Sequence, residues 1–319
     1  MAAFTHILLS LVQMTLVVVW APLVTGVIQK LKARLQSRAG ASVWQPYRDL
    51  TKLLRKGTVQ ADTASGFFAA LPVLVLAATL LAAALVPVLW IPAIETPAGV
   101  GRYPLGDAIL LVGLLALARF LTAVGALDAG GAFGGMGASR EMTVGVLVEP
   151  VLMLAVFSVA LSAGTTDLGA LAARRLDAPS FHAPDLLALF AMLVLLLAET
   201  GRIPVDNPDT HLELTMLHEG MLLEHSGPGL ACMLLATHVK QLVMIGLTSA
   251  LFLPVGLTAV TGPAALAIAA AAFAGKVLVL ALFLALVESS YAKLRFFRLP
   301  QFLGIGFVTG FLALSLRIL

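Results

Sequence analysis

Long runs of apolar residues are the feature of this sequence that most restricts its fold. Eight runs equal or approach the roughly 20 helical residues that cross a hydrocarbon core of about 30 Å. Because lipid offers no water to backbone amides, each run should be α-helical. The runs cover residues 4–28, 67–92, 106–127, 142–163, 184–201, 229–255, 262–290 and 300–318. The sequence therefore predicts an all-α, polytopic membrane protein that forms one integral membrane domain over residues 1–319.

Composition excludes several other classes of protein. Sixty per cent of the residues are apolar and only 12% are charged, which a soluble protein of 319 residues could not cover with polar surface. The single cysteine, Cys232, argues against a disulfide scaffold and against an iron–sulfur cluster or structural zinc in this chain. No motif for nucleotide or nucleic-acid binding is present, and the glycine-rich run 130–137 is expected to be a tight, flexible turn. We therefore expect no catalytic residue and no metal site.

The distribution of Lys and Arg predicts the orientation. Thirteen of the twenty lie in segments 29–66, 128–141, 202–228 and 291–299, and only four lie in the segments on the other side. The positive-inside rule places the basic segments in the cytoplasm and both termini on the non-cytoplasmic side. The first apolar run lacks a basic segment before it, so we expect an uncleaved span rather than a signal peptide.

Two of the inner segments have features that a plain connecting loop does not need. Segment 29–66 carries apolar residues at helical spacing among basic ones, a pattern typical of an amphipathic helix on the membrane surface. These apolar residues are Trp44, Tyr47, Leu50, Leu53 and Leu54. Segment 202–228 contains a capping box, Thr210 to Glu213, which predicts the start of a helix. Both segments are therefore expected to dock a partner or to form a site.

Ionisable residues within the predicted spans are the strongest indication of function, because each costs about 2.5–3.5 kcal/mol at the middle of a helix. They are Arg119, Glu149, Lys240 and Lys276, with Glu199 and Glu288 near the inner ends of their spans and Glu141 beside an inner loop. Pro150 follows Glu149 and leaves the Val146 carbonyl without its helical partner, where water could enter. A chain of titratable sites for protons is one interpretation, and ion pairs that only hold helices together are the other.

Four segments resemble one known family. Arg38–Lys56 (RAGASVWQPYRDLTKLLRK), Gly137–Pro150 (GASREMTVGVLVEP), Glu199–Gly227 (ETGRIPVDNPDTHLELTMLHEGMLLEHSG) and Glu288–Gly304 (ESSYAKLRFFRLPQFLG) are similar to the membrane subunit that complex I shares with energy-converting nickel–iron hydrogenases. The GASRE and AKLRFFRLPQFL sequences look closer to the hydrogenase side of the family. That side comprises the membrane subunits of formate hydrogenlyase, hydrogenase-4 and carbon-monoxide-linked hydrogenases.

The resemblance implies a proton-conducting coupling subunit in a bacterial or archaeal cytoplasmic membrane. Its expected partners are the hydrogenase large and small subunits, a ferredoxin-like iron–sulfur subunit and antiporter-like membrane subunits. The iron–sulfur clusters and the nickel–iron centre would belong to these partners. Candidate proton-path residues, from the resemblance and from the buried charges together, are Arg119, Glu141, Glu149, Glu199, Glu213, Glu219, Glu224, Lys240, Lys276 and Glu288. Candidate docking residues are Arg38, Gln45, Arg48, Asp49, Lys52, Arg202, Asp206 and Arg295.

Two other functions stay open at this point. The first is the quinone-site membrane subunit of an NADH dehydrogenase of the complex I type. The second is a free-standing ion transporter, which would also explain lysines facing buried acids. The amphipathic surface segment and the elaborate inner loop favour a stable partner, and hence a subunit of a larger complex.

Overall fold

The computed structural model describes residues 2–91, 106–177, 181–203, 205–206, 217–258, 262–292, 294 and 296–319. Within these ranges the chain is almost wholly helical and forms no β-sheet. The helices are, in chain order, α1 (Ala2–Leu35), α2 (Gln45–Leu54), α3 (Leu71–Leu85), α4 (Ala108–Asp128), α5 (Ala132–Ala163), α6 (Leu168–Asp177), α7 (Ala183–Glu199), α8 (His218–Leu222), α9 (Gly227–Phe252), α10 (Pro263–Ser290) and α11 (Leu299–Ile318). A 3₁₀ turn, Phe296–Arg298, precedes α11.

The all-α membrane fold is confirmed. In the described part of the chain, six helices are long and apolar enough to cross a membrane: α1, α4, α5, α9, α10 and α11. The two other predicted spans coincide with α3 and α7, which have only 15 and 17 residues. These fall short of the roughly 20 residues that a perpendicular span needs. Membrane crossing by α3 and α7 therefore stays a prediction.

Helix α5 packs against α4, α7 and α11. Glycines allow close approach where α11 crosses its neighbours. A Cβ atom at Gly306 would lie 3.2 Å from the Val194 side chain and 3.3 Å from that of Val151. Without a hydrophobic driving force between helices in lipid, such small residues bring helices into van der Waals contact. The core is therefore held mainly by close packing of helix against helix.

The prediction of a turn over the whole glycine-rich run 130–137 was wrong. Only Gly130, at φ +73°, and Gly131 lie in the turn, and α5 begins immediately afterwards. A Cβ atom at Gly134 would lie 2.8 Å from the Ala126 carbonyl oxygen, and one at Gly137 would lie 3.0 Å from the Leu217 carbonyl oxygen. These glycines are helical and let α5 start in contact with α4 and with the residue before α8.

The predicted amphipathic helix of segment 29–66 is present as α2, and its position on the membrane surface stays a prediction. Its charged residues are exposed, whereas Pro46 is buried and the Tyr47 phenol donates a hydrogen bond to the Val19 carbonyl of α1. The capping box at Thr210–Glu213 lies outside the described residues. In the described part of this segment, the Asp206 carboxylate accepts hydrogen bonds from the backbone amides of Leu217 (3.1 Å) and His218 (3.2 Å), at the start of α8.

At the end of the bundle opposite to α2, a buried carboxylate joins three helices. Asp185, in the first turn of α7, pairs with Arg175 of α6 and Arg317 of α11 and accepts a hydrogen bond from the His182 amide (2.9 Å). Its side chain is fully buried. Two guanidinium groups therefore compensate one buried acid and fix α6 and α11 to the start of α7.

The turn before α9 contains a buried histidine that stacks on an aromatic ring. The rings of His225 and Phe68 are 4.4 Å apart and nearly parallel, which joins this turn to the segment before α3. Burial lowers the pKa of His225 to about 4 from an ordinary value of 6.5. Between pH 6.5 and about pH 4, His225 is therefore protonated in the unfolded chain and neutral in the folded chain.

We expect the stability contributed by neutral His225 to be present above pH 6.5 and to be lost as the pH falls towards 4, because protons then favour the unfolded state. His225→Phe should reduce the fall of the thermal unfolding midpoint between pH 7 and pH 4.5 in detergent. His182→Asn is the control, because His182 is exposed and asparagine is also a good helix cap. An unchanged pH slope in His225→Phe would contradict this assignment.

Candidate functional site

Five ionisable side chains from four helices meet inside the bundle and are called here the Arg119 cluster. Its members are Arg119 of α4, Glu141 and Glu149 of α5, Glu199 of α7 and Lys240 of α9. The Arg119 guanidinium lies 3.5 Å from Glu141 and 3.1 Å from Glu149, and it also pairs with Glu199. The second oxygen of Glu199 lies 2.5 Å from the Lys240 ammonium.

The sequence of α5 explains why the guanidinium fits between two acids. Residues four apart lie on one face of a helix, so Glu141, Gly145 and Glu149 form one row. A Cβ atom at Gly145 would lie 2.9 Å from the Arg119 Nη1 atom and 3.0 Å from its Cδ atom. The glycine therefore leaves the space that Arg119 occupies, with one carboxylate on either side.

The charges of the Arg119 cluster do not cancel. With all groups ionised, it holds two positive and three negative charges. Glu199 is almost completely buried and contacts both cations, whereas the Glu149 side chain is 42% exposed. Glu149 and Arg119 also line a cavity of about 390 Å³ between α4 and α5. The excess negative charge thus lies next to an opening in the side of the bundle.

A second buried group of polar residues, called here the Glu288 cluster, lies between α1, α9 and α10. Arg202 lies 3.4 Å from the Glu288 carboxylate and 3.3 Å from the Gln241 side-chain oxygen. Thr25 donates a hydrogen bond of 3.0 Å to the same oxygen of Gln241. Lys32 lies 3.8 Å from Glu288. Two cations, Arg202 and Lys32, therefore lie near the buried Glu288 carboxylate.

Two cavities lie beside these clusters. The larger, called here the inner cavity, has a volume of about 240 Å³ and is lined by residues of α1, α2, α8 and α9 together with Arg202 and Asp206. A small cavity of about 20 Å³ lies beside Arg119 and Lys240. Both cavities are lined by His218 and Thr237, whose side-chain Nε2 and Oγ1 atoms are 3.0 Å apart.

His218 is well suited to pass a proton between these cavities. Burial lowers the pKa of its imidazole below the ordinary value. The ring is therefore neutral near pH 7, and a neutral imidazole has one nitrogen that donates and one that accepts. Thr237, its partner, also has a hydroxyl group that can donate and accept. The pair forms a polar contact between the inner cavity and the Arg119 cluster.

The other predicted proton-path residues are distributed more widely. Glu288 belongs to the second cluster, and Glu219 lines the inner cavity. Glu224 lies near Gly131 at the start of α5, and Glu213 lies outside the described residues. The Lys276 ammonium donates a hydrogen bond of 3.2 Å to the Leu253 carbonyl just beyond α9. The geometry therefore does not bring Lys276 into either cluster.

The predicted docking residues divide into an exposed and a buried set. Arg38, Arg48, Asp49 and Lys52 are exposed, and the half-buried Gln45 donates a hydrogen bond of 2.8 Å to Asp49. Arg202 and Asp206, by contrast, are buried and form their contacts inside this chain. Arg295 lies outside the described residues. A surface for a partner is therefore best supported at α2.

Sequence reasoning missed the partners of the Glu288 cluster. Lys32 lies in a basic segment that resembles an ordinary membrane-flanking region, and Thr25 is unremarkable within an apolar run. Gln241, next to Lys240, was the available signal, because an amide within a span also needs a partner. Among the described residues, no group of three or more His, Cys, Asp or Glu side chains could hold a metal ion.

Comparison with known proteins gives consistent results. A family model described as NADH dehydrogenase matches residues 7–317. Hydrogenase-4 component C of Escherichia coli K12 is 36% identical, covering 96% of this chain and 94% of its own length. Formate hydrogenlyase subunit 4 of the same organism is 35% identical, covering 96% and 97%. A chain of the membrane-bound sulfane sulfur reductase, an archaeal respiratory membrane complex, shares the fold with a TM-score of 0.82, 21% identity and coverage of 98% and 99%.

Arg119→Met should destabilise the bundle strongly, because it leaves three acids facing only Lys240. Breaking a buried ion pair by removing one partner costs about 3–5 kcal/mol. We expect a clear fall in the thermal unfolding midpoint of the detergent-solubilised protein. Arg48→Met, at an exposed position on α2, should leave the midpoint nearly unchanged. Equal midpoints for the two variants would show that Arg119 does not hold the cluster together.

Proposed function

The chain belongs to the NADH dehydrogenase subunit 1/H family, and we propose that it is the membrane anchor and proton-conducting coupling subunit of a membrane-bound nickel–iron hydrogenase complex. The formate hydrogenlyase and carbon-monoxide-linked types fit best. Hydrogenase-4 component C and formate hydrogenlyase subunit 4 match it along nearly their whole length. We place it in the cytoplasmic membrane of a bacterium or archaeon, with α2 and α8 on the cytoplasmic side and both termini on the other.

The partners in this proposal are the hydrogenase large and small subunits, a ferredoxin-like iron–sulfur subunit and antiporter-like membrane subunits. The nickel–iron centre and the iron–sulfur clusters would lie in those partners and would supply the electron transfer. This chain contributes a basic, exposed face on α2, with Arg48 and Lys52, beside the mouth of the inner cavity. That face supports docking of a soluble arm above the buried clusters.

The observation that carries the proposal is the burial of the Arg119 cluster with one acid in excess. Well-packed apolar residues would often be as stable as a buried ion cluster or more stable, so such a cluster suggests a use beyond stability. A proton that reaches His218 through the inner cavity lies near Glu141 and Glu199. From there it can be passed to Glu149, which opens towards the side of the bundle.

Arg119 has the geometry to permit this transfer without leaving its place. A guanidinium offers five donors in a planar fork and stays positively charged. The guanidinium can remain paired with two carboxylates while the third carboxylate takes up a proton. The excess negative charge can therefore move among the three acids. A change of charge in a docked arm would alter the free energy of the proton in this low-dielectric region, which is how electron transfer would be coupled to proton movement.

The size of the inner cavity bears on the alternative of a quinone site. Ligand pockets usually measure about 300–1,000 Å³, and the inner cavity measures about 240 Å³. Its lining by His218, Asp206 and Arg202 suits water and proton exchange better than an apolar ligand. A free-standing transporter is less favoured, because two relatives that match nearly the full chain are named as a component of hydrogenase-4 and a subunit of formate hydrogenlyase.

Purification of the complex distinguishes these functions. The tagged chain, extracted in a mild detergent, should co-purify with a nickel–iron large subunit detected by mass spectrometry. Arg48→Glu with Lys52→Glu should lose the soluble subunits and keep the membrane subunits, because it reverses the charge of the docking face. Val255→Glu, at an exposed position at the opposite end of the bundle, is the control and should keep both. Recovery of NADH-oxidising subunits would support the quinone site, and recovery of no partner would support a transporter.

Glu149→Gln tests the proton path itself. In proteoliposomes that contain the complete complex, we expect proton movement linked to hydrogen evolution to fall about tenfold or more, because the amide cannot take up the proton. Hydrogen evolution from a soluble electron donor should be retained. Asp62→Asn, in an exposed loop, is the matched control. Normal proton movement in a correctly assembled Glu149→Gln complex would reduce Glu149 to a structural role.

A further inference from the structure

A further cavity lies at the end of α5 opposite to the inner cavity, and it takes no part in the proposed proton path. It has a volume of about 920 Å³ and lies between the end of α5, the start of α6 and the last turns of α11. Its walls are apolar and its rim is polar. The walls include Phe157, Ala160, Leu161 and Leu314, and the rim includes Thr165, Thr166, Asp167 and Arg174.

Arg174 is the rim residue with a free charge. Its side chain is exposed and has no ion pair or hydrogen bond within the described part of the chain. The neighbouring cations Arg175 and Arg317 are already paired with Asp185. Arg174 is therefore available to a ligand that carries a negative charge.

The acids near the rim are engaged in other contacts, because each caps the start of a helix. Asp167 accepts a hydrogen bond of 2.8 Å from the Ala170 amide of α6. Asp107 accepts one of 2.7 Å from the Ile109 amide of α4 and another from the Thr166 hydroxyl. The positive end of a helix stabilises a carboxylate placed there. Within the described residues, the guanidinium of Arg174 is therefore without an ion pair at the mouth of the cavity.

The walls indicate that the ligand also has an apolar part. A cavity of this size that is lined by aliphatic and aromatic side chains offers water few hydrogen-bond partners. The wall residue Leu161 is 52% exposed on a membrane-spanning helix, so the cavity opens towards the lipid. A phospholipid has the matching shape, with a phosphate at the level of the helix ends and acyl chains beside the spans. Arginine and phosphate form strong, charge-assisted hydrogen bonds.

The geometry points to a binding site for an anionic phospholipid of the surrounding membrane, with its phosphate at Arg174 and Thr165 and one acyl chain between α5 and α11. Basic pockets between membrane helices are known to take lipid head groups. A lipid at this site would fill the space between α5, α6 and α11, of which α6 and α11 are also joined through Asp185 of α7. It would therefore stabilise the end of the bundle that lies farthest from the soluble partners.

Native mass spectrometry of the complete complex tests this site. The complex would be exchanged into nanodiscs of phosphatidylcholine with 10% phosphatidylglycerol, and the lipid retained on this subunit would be counted after extraction. Arg174→Gln removes the charge and Leu161→Trp fills the cavity. We expect each to reduce retained phosphatidylglycerol at least fivefold. Arg55→Gln, on the surface after α2, and Leu312→Trp, on the exposed face of α11, are the matched controls and should retain it.

Three results would overturn the proposal. Retention of phosphatidylglycerol by Arg174→Gln at the level of the unaltered protein would exclude the charge contact. Equal retention of phosphatidylcholine would show that the site does not select an anionic head group. Retention of no lipid by the unaltered complex would show that another subunit fills the cavity.

Discussion

The contact of Arg119 with three carboxylates is the interaction on which the centre of this bundle depends. Glu141 and Glu149 approach from one helix and Glu199 from another, while Lys240 compensates the far side of Glu199. Removing these groups from water costs several kcal/mol for each ion, and only close pairing of opposite charges offsets this desolvation cost. The position of each helix is therefore constrained by where its charged side chain must reach. Gly145, which makes room for the guanidinium, is as necessary as the acids themselves.

Helix α9 lies between the two clusters and contributes a residue to each of them. Its consecutive residues Lys240 and Gln241 belong to the Arg119 cluster and to the Glu288 cluster respectively. The first cluster has one negative charge in excess, and in the second both Arg202 and Lys32 lie near Glu288. Both clusters lie beside α9, next to the contact between His218 and Thr237. A proton added to the first cluster would change the field at the second, so the arrangement suits a device that couples charge at the protein surface to charge in the membrane.

Much of this arrangement could be predicted from the sequence, because lipid leaves few alternatives. An apolar run must be helical, an amphipathic basic segment must lie at the surface, and a charge within a span must have a partner. These rules predicted the six long helices, α2 and the members of the Arg119 cluster.

These rules could not predict which charges pair, because pairing depends on how helices far apart in the chain are arranged. Lys276 bonds to the end of α9 and Arg202 turns inward, and neither outcome has a local signal. The glycine-rich run was wrongly predicted as a turn, because glycine at a helix contact and glycine in a turn look alike until the neighbouring helix is known.

Infrared difference spectroscopy during hydrogen evolution would test the central claim most directly. The complete complex, reconstituted in lipid and labelled with ¹³C-glutamate, would be compared before and during electron supply to the soluble arm. The account predicts a change in a protonated carboxyl C=O band that shifts with the label and disappears in Glu149→Gln. The absence of any glutamate band change during turnover, in a complex that moves protons, would show that these buried acids stay ionised and only hold the helices together.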